Sequence, residues 1–226
     1  MTEIKLVVFD LAGTTVQDGG QVLSSFTAAL AKHNIKVTPE QLQEVRGASK
    51  REALLSLIPA GPQRAHIAES AYASFREYLA HQYEVDGIRP VHGVEQVFGW
   101  LRGQGIRVAL NTGFDRDISR LLLTALGWGD GVVDAVICGD DVRQGRPAPY
   151  LIFHAMEATG TISVQQVVNV GDTVMDLQAG HNAGVLWNVG VLSGAHSRPQ
   201  LERAPHTHLL ASVAELPTVV EASGAA

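Results

Sequence analysis

The sequence predicts an α/β fold, a Rossmann-like parallel sheet with helices on both faces, together with an inserted α-helical cap. Along most of the 226-residue chain, short apolar runs rich in β-branched residues alternate with helical patterns. This alternation is typical of a parallel sheet covered on both faces. Between residues 21 and 83 the alternation stops, and helical patterns follow one another without an intervening strand. The helical block is therefore interpreted as an insertion.

The strands of the sheet are predicted from short apolar runs, and the helices from the patterns that separate them. The predicted strands are residues 5–9, 106–110, 135–138, 167–170 and 185–189. The predicted helices between them are residues 93–103, 115–126, 149–158 and 175–183. Residues 209–220 are interpreted as one further short strand and a helix.

The cap is predicted from the helical patterns in residues 22–33, 39–45, 50–57 and 62–83. Gly19-Gly20 precedes this block and Gly87 follows it, and both are interpreted as hinges. We therefore predict a cap domain at residues 17–87 and a core domain at residues 1–16 and 88–226. An insertion after the first strand lies over the carboxyl ends of the strands, where it can close a site and exclude water.

Composition excludes several classes of protein. The formal net charge of −6 and the absence of a basic run give no reason to expect nucleic acid as a partner. A single cysteine, Cys138, allows no disulfide within the chain, which favours a reducing cytoplasm. No run reaches the ~18 apolar residues of a membrane helix. We expect a cytoplasmic protein that binds neither nucleic acid nor membrane.

Three carboxylates follow predicted strands. Asp10 ends the first strand, and Asp172 and Asp176 come shortly after residue 170. Because the carboxyl ends of parallel strands meet at one edge, these side chains are expected to be neighbours. Asp10 can attack phosphorus as a nucleophile, but two anions repel each other. Mg²⁺ bound by the three carboxylates and by the backbone carbonyl of Ala12 would offset that repulsion.

Further polar groups at the same edge suit a phosphoryl group. Thr112 and the Gly113 amide can donate hydrogen bonds to phosphoryl oxygens. Arg146 carries a permanent charge that can bind the same oxygens and hold the nucleophile. Gly13 allows a sharp turn that brings backbone amides close to a ligand. Each group alone has an ordinary structural explanation as a cap, turn or surface ion pair, but the combination indicates a small anionic phosphonate or phosphate substrate.

These motifs resemble those of the haloacid dehalogenase superfamily. Asp10-Leu11-Ala12-Gly13-Thr14 is similar to its first motif, and the Asp-x-Ala form resembles the phosphonatase branch. The other motifs are similar to residues 112–116, 145–150, 170–176 and 180–184. The resemblance implies an Mg²⁺-dependent hydrolase with an aspartyl-phosphate intermediate and a possible homodimer. Most phosphatases of the superfamily carry an acid where Ala12 stands.

The resemblance also implies a cap lysine that forms a Schiff base with an aldehyde substrate, and Lys50 occupies the matching position. A protonated imine accepts electrons, so a carbon–phosphorus bond can break without an acid at Ala12. We expect Arg46 and Arg51 to lower the pKa of Lys50 by like-charge repulsion. Two alternatives for Lys50 are a substrate-binding lysine and a solvated surface lysine.

Several positions depart from the phosphonatase pattern. Arg46 replaces a methionine, Ala53 a histidine, Phe114 a tyrosine and Gly20 a cysteine. Arg46 is therefore expected to recognise an additional polar or anionic group, with Gly47 beside it at the substrate. The implied activity is cleavage of the C–P bond of phosphonoacetaldehyde or a related 2-oxoethylphosphonate.

Two other functions stay open at this point. One is a phosphate monoesterase built on the same core, with water or the substrate supplying the missing proton. The other is a non-catalytic module that binds a phosphorylated metabolite or a protein partner. Ala12 favours C–P cleavage over the monoesterase. The nucleophile Asp10 argues against the binding module, because binding alone requires no nucleophile.

Overall fold

The computed structural model describes residues 3–129 and 131–224 of the chain. Its centre is a six-stranded, all-parallel sheet in the order β3-β2-β1-β4-β5-β6. The strands are β1 (Leu6–Asp10), β2 (Arg107–Asn111), β3 (Ala135–Ile137), β4 (Val167–Gly171), β5 (Trp187–Val191) and β6 (His208–Leu210). The predicted fold class is confirmed. Residues 1, 2, 130, 225 and 226, which the sequence assigned to the core domain, lie outside the described residues.

Helices surround the sheet and form the cap. Their bounds are α1 (Gln21–Ala31), α2 (Pro39–Glu44), α3 (Lys50–Leu57), α4 (Arg64–Asp86), α5 (Val94–Gly103), α6 (Arg116–Leu126), α7 (Tyr150–Thr159), α8 (Val174–Ala183), α9 (Arg198–Leu201) and α10 (Leu216–Gly224). Within the described residues, none of these helices combines the length and the apolar character needed to cross a membrane.

Both faces of the sheet are buried. In β1, Val7 and Phe9 pack into a hydrophobic cluster that contains residues of α5 and α6. Leu6 and Val8 point to the opposite face and pack with residues of α7 and α8. Every residue of β1 and β4 is buried. A strand covered on both faces is apolar without alternation, which explains the continuous apolar runs in the sequence.

The element bounds differ from the prediction by one or two residues in most places. β1, β2 and β4 each continue one residue further, because polar residues still pair in the ladder, as Asp10 does with Asn111. The helix predicted from residue 115 begins at Arg116, since Asp115 is its N-cap and accepts a hydrogen bond from Ile118 N. β5 lies two residues later than predicted, and α9 was not predicted.

The cap consists of α1 to α4, inserted between β1 and α5. Its two connections run side by side: Gln17 N donates to Arg89 O at 3.0 Å, and Val91 N donates to Thr15 O at 2.8 Å. The cap lies on the carboxyl edge of the sheet, where Lys50 N donates to Gly113 O at 3.1 Å. The domain boundary at residues 17–87 stays a prediction, and α1 to α4 fall within it.

Candidate active site

The site lies at the carboxyl ends of β1, β2 and β4. β1 is the central strand of these three, and Asp10 at its end pairs in register with Asn111 at the end of β2. The chain runs from β1 to β2 and β3 on one side and then crosses to β4 on the other side, so the carboxyl edge between β1 and β4 is the topological switch point where open α/β sheets bind ligands. Asp172 follows β4 directly. Parallel strand pairing therefore brings together residues that are far apart in the sequence.

Arg146 is the centre of the buried polar network. Its Nη1 lies 2.7 Å from Asp10 Oδ1 and 2.8 Å from Asp176 Oδ1. Its Nη2 donates to Asn111 O at 3.1 Å and also to the Asn111 side-chain oxygen. The Arg146 side chain is only 2% exposed. The guanidinium is thus fixed in one orientation, with its charge directed at the predicted nucleophile.

The carboxylates carry more negative charge than Arg146 alone offsets. Burial raises the pKa of Asp10, and the neighbouring Asp176 raises it further, while Arg146 acts in the opposite direction. Burial likewise raises the pKa of Asp172, helped by the charges of Asp10 and Asp176. A divalent cation would supply the missing positive charge. Carboxylate oxygens of this kind suit Mg²⁺, so the residues present fit that ion.

The predicted metal ligands differ in how their oxygens are used. Asp172 accepts from Thr14 Oγ1 at 2.9 Å and from Ala195 N at 2.6 Å, one bond on each oxygen. Each oxygen therefore keeps capacity for a cation. Asp176 contacts Arg146 through Oδ1, while its Oδ2 accepts from Thr173 N at 3.0 Å and from the Thr173 hydroxyl. Asp176 thus positions Arg146 and the start of α8. Its predicted role as a metal ligand is less well supported than that of Asp172.

Thr112 and Gly113, the core residues predicted to bind a phosphoryl group, line a cavity between cap and core. Thr112 is 2% exposed, and its Oγ1 accepts from Phe114 N at 3.1 Å. Within the described residues, Gly113 N donates no hydrogen bond, which leaves it free for a ligand. A Cβ on Gly113 would lie 2.5 Å from Ala48 O, so glycine is required for the cap to approach. Gly13 does not line the cavity, and its N–H donates to Val16 O at 2.7 Å.

Lys50 is the first residue of α3 and is 8% exposed. Its Nζ donates to Ala48 O at 3.3 Å and lies 5.0 Å from the centre of the Phe114 ring. Burial lowers the pKa of Lys50, with Arg146 acting in the same direction, while Asp10 opposes them. A lowered pKa increases the fraction of neutral amine, which is the form that attacks an aldehyde.

Arg46 and Arg51, which were expected to lower that pKa, are not among its main causes. Burial has the largest effect, and the cation that contributes is Arg146. Arg51 points away from the site and forms an ion pair with Glu69 at 2.8 Å, with 58% of its side chain exposed. Sequence proximity suggested the two arginines, but helical geometry directs Arg51 to the surface.

Arg46 and Gly47 lie at the contact between cap and core, and both line the cavity. Gly47 has a φ of 84°, and a Cβ there would collide with Thr173 Oγ1. The carbonyl of Gly47 accepts from Arg146 Nη1 at 3.4 Å. A larger residue would prevent this docking, so Gly47 contributes to closure of the cap.

A cavity of about 40 Å³ separates cap and core. Asp10, Ala12, Thr112 and Arg146 form part of its core side, and Lys50 forms part of its cap side. The remaining cap wall is mostly apolar and consists of Val22, Leu23, Phe26, Leu42 and Val45. The cavity therefore combines a buried cation on its core side with a mostly apolar wall on its cap side.

Sequence reasoning missed two parts of the site. Asp18 lines the cavity from the first connection between core and cap. Ala195, in the loop after β5, lines it as well and holds Asp172 through its N–H. Gly194 was the signal for this loop, because a Cβ there would collide with the Asp172 carboxylate. Asp18 gave no signal, since an aspartate beside two glycines is usually a turn residue.

A closed cap over carboxylates and a buried arginine at this sheet edge defines a hydrolase of small phosphorylated compounds. The chain belongs to the haloacid dehalogenase superfamily, since the profile of haloacid dehalogenase-like hydrolases matches residues 4–184. Among curated proteins, the chain is similar to phosphonoacetaldehyde hydrolase of Latilactobacillus sakei. The two are 30% identical over 243 aligned positions, which cover 100% of this chain and 91% of the relative. The recognised resemblance is thereby confirmed.

Other relatives agree with this assignment. The phosphonoacetaldehyde hydrolase of Bacillus cereus strain ATCC 14579 is 30% identical over 207 positions, covering 85% of this chain and 77% of the relative. A hydrolase from Pseudomonas syringae shares the fold with a TM-score of 0.82 at 23% identity, covering 96% of this chain and 98% of that one. A phosphonoacetaldehyde hydrolase-like protein from Oleispira antarctica has a TM-score of 0.81 at 22% identity, covering 97% of this chain and 92% of that one. The chain is a phosphonatase-like hydrolase of this superfamily.

Proposed function

We propose that the protein cleaves the C–P bond of phosphonoacetaldehyde or a related 2-oxoethylphosphonate. The observation that carries the proposal is that Lys50 and Asp10 line one closed cavity in which Ala12 offers no acid. The curated relatives named phosphonoacetaldehyde hydrolase support it at 30% identity. The protonated imine that a lysine amine forms with an aldehyde accepts the electron pair of the breaking C–P bond. No proton donor is then required at Ala12.

Asp10 attacks phosphorus, and the C–P bond breaks as the new O–P bond forms. Arg146 keeps the Asp10 carboxylate oriented and binds a phosphoryl oxygen as charge builds up. Thr112 and the Gly113 N–H bind the remaining phosphoryl oxygens. Water then hydrolyses the aspartyl-phosphate and releases inorganic phosphate. In each step the protein acts chiefly by placing fixed charges and donors around the phosphoryl group.

Asp10, Asp172 and the Ala12 carbonyl would hold Mg²⁺, while Asp176 forms an ion pair with Arg146. When bound, this ion supplies positive charge that offsets the repulsion between the Asp10 carboxylate and an anionic phosphoryl group. Thr14 and Ala195 N fix the orientation of the Asp172 carboxylate. These contacts prepare the carboxyl group for ligation without a change of rotamer.

Lys50 supplies the second half of the chemistry. Its ammonium group first gives up a proton, the neutral amine adds to the aldehyde carbon, and loss of water with return of that proton gives a protonated imine. The electron pair of the breaking C–P bond then moves into this imine and forms an enamine. Protonation of the enamine carbon and hydrolysis release acetaldehyde, or its substituted counterpart, and regenerate the amine. Burial of Lys50 favours its neutral amine, which is the form that attacks the aldehyde in the first of these reaction steps.

The cavity constrains the substrate to a small anionic molecule. The cavity brings Arg146 on the core side together with an apolar cap wall, which favours an anionic group joined to a short organic portion. Arg46 lines the cavity as well and is the residue to contact a polar substituent. A cytoplasmic location and a homodimer are further proposals that rest on composition and on family resemblance.

Borohydride trapping tests the proposal. With an oxoethylphosphonate present, borohydride should reduce the imine, inactivate the enzyme and leave a covalent adduct on Lys50 that mass spectrometry locates. Borohydride without substrate is the control. In parallel, phosphate release should be far faster from oxoethylphosphonates than from phosphate monoesters. Efficient monoester turnover together with no adduct on a demonstrated oxoethylphosphonate substrate would move the assignment to an ordinary phosphatase.

A further inference from the structure

One carboxylate in the cavity has no part in the steps above. Asp18 lies in the connection between β1 and α1, is half-buried, and lines the same cavity as Lys50 and Asp10. Such a carboxylate either stabilises a turn or takes part in the reaction, and its contacts distinguish these two roles.

Unlike Asp10 and Asp176, Asp18 forms no ion pair in the part of the chain that the structure describes. Asp10 and Asp176 both contact Arg146. Asp18 Oδ1 accepts one hydrogen bond, from Gly20 N at 3.0 Å. That contact uses a small part of the carboxylate's capacity to accept protons and hydrogen bonds.

The charge of Asp18 acts on Lys50 without a direct contact to it. Asp18 raises the pKa of Lys50, against the larger lowering by burial. Lys50 Nζ, however, donates to Ala48 O. Asp18 and Lys50 therefore line the same cavity with no hydrogen bond or ion pair between them among the described residues.

A buried hydroxyl lies within the field of Asp18. Tyr83 is 3% exposed, and its hydroxyl has no hydrogen-bond partner within the described residues. Burial raises the pKa of Tyr83, and the charges of Asp18 and Asp10 raise it further. The surroundings of Asp18 are thus buried and contain a spare O–H donor, unlike those of an exposed turn residue.

We propose that Asp18 is the residue that transfers protons between the Lys50 amine and the carbonyl oxygen of the substrate. This inference rests on the proposed function. Addition of the amine to the aldehyde forms a C–N bond and leaves a proton on nitrogen and a negative charge on oxygen. Before the attack, Asp18 takes the proton that the Lys50 ammonium group gives up to become the neutral amine. Protonated Asp18 then gives its proton to the oxygen and takes the one on nitrogen, which yields the neutral carbinolamine and leaves Asp18 protonated.

Loss of water from the carbinolamine follows the same route. Protonated Asp18 gives its proton to the hydroxyl group, the C–O bond breaks, and water leaves. The products are the protonated imine and the Asp18 carboxylate, so atoms and charge balance. After C–P cleavage, the same groups act in reverse when water attacks the product imine and frees Lys50.

Two substitutions separate this role from a turn role. Asp18→Asn keeps an oxygen that accepts from Gly20 N but cannot carry a proton, whereas Asp18→Ala loses both properties. We expect both variants to reduce turnover of an oxoethylphosphonate about 10²-fold, the scale of a lost acid–base group. The rate of borohydride trapping should fall with turnover. Asp86→Asn is the matched control, because Asp86 accepts from Gln21 near the same connection but outside the cavity.

Chemical rescue supplies a readout that a structural role would not affect. Added formate should restore part of the turnover of Asp18→Ala, since a small carboxylic acid can occupy the vacated space and carry the proton. Wild-type turnover and trapping in Asp18→Asn, or absence of formate rescue in a folded Asp18→Ala, would overturn the assignment.

Failure of the proposed function gives a different result from failure of this assignment. If wild-type protein forms no trappable adduct with an oxoethylphosphonate that it turns over, the imine mechanism fails and the role of Asp18 fails with it. If wild-type protein is trapped and Asp18→Asn is trapped equally fast, only the role of Asp18 is wrong.

Discussion

Arg146 Nη1 lies 2.7 Å from Asp10 Oδ1, and both side chains are almost completely buried. The same nitrogen donates to the carbonyl of Gly47 in the cap. One guanidinium therefore holds the nucleophile on the core and also contacts the closed cap. Orientation of Asp10 and closure of the cap are therefore linked through Arg146.

Asp10→Asn should reduce turnover at least ~10³-fold, because the amide keeps the shape but cannot act as the nucleophile. Phosphate release under saturating substrate and Mg²⁺ is the measurement. Asp86→Asn is a suitable control, since Asp86 is exposed and does not line the cavity. Near-normal turnover by a folded Asp10→Asn protein would eliminate the aspartyl-phosphate.

Lys50→Arg should abolish C–P cleavage, because arginine keeps the positive charge but forms no imine. Any phosphate monoester turnover of the wild-type protein should largely survive, since charge alone suffices for binding. Initial rates on both substrate classes test this split. Lys32→Arg is the control, on a lysine that contacts Ser74 within the cap. Retained C–P cleavage in Lys50→Arg would contradict the Schiff base.

Arg146→Lys should lower kcat/KM by about 10–100-fold even though the charge is kept. An ammonium group cannot reproduce the planar set of contacts that Arg146 makes with Asp10, Asp176 and Asn111. Steady-state kinetics provide the test. Arg107→Lys, at an exposed ion pair with Asp134, should be close to wild type. A similarly small effect at position 146 would show that charge alone is sufficient there.

Mg²⁺ should stabilise the protein more strongly as the pH rises. Burial raises the pKa values of Asp10 and Asp172, so above about pH 4 the folded protein binds more protons than the unfolded chain. Stability without metal therefore falls as the pH rises through this range, while Mg²⁺ competes with those protons. The increase in Tm on adding Mg²⁺ should be larger at about pH 7.5 than at about pH 5.

Asp172→Asn is the control for the metal experiment, because it removes a ligand charge. Its Tm should respond much less to Mg²⁺, and EDTA should have little effect on it. Thermal unfolding at the two pH values provides both comparisons. A Tm increase in wild-type protein that is independent of pH would contradict metal binding at these carboxylates.

Tyr72→Phe should weaken closure of the cap. The Tyr72 hydroxyl of α4 donates to Asp115 Oδ2 of the core at 2.6 Å, and Arg76 forms an ion pair with the same oxygen at 2.8 Å. Loss of one such bond costs about 1 kcal/mol, so the closed form should become roughly 5-fold less populated, with a corresponding rise in KM. Tyr78→Phe, on the same helix, is the control, and an unchanged KM in Tyr72→Phe would contradict a closing role for this contact.

The sequence by itself determined the fold class and the order of the elements. Strands buried on both faces leave continuous apolar runs, and the cap interrupts their alternation with helices, so both features can be recognised locally. The sequence also identified Asp10, Thr112, Arg146 and Asp172, because each follows a predicted strand. Strand ends in a parallel sheet share one edge, and that rule needs no coordinates.

Only the tertiary structure decided how these residues are used. It placed Asp176 against Arg146 and Thr173, and it lowered the pKa of Lys50 through burial instead of through Arg46 and Arg51. It also brought Asp18 into the cavity. Hydrogen-bond partners and burial depend on how the cap docks on the core. Docking is governed by contacts between distant segments, such as Gly47 with Thr173, and local sequence patterns do not contain that information.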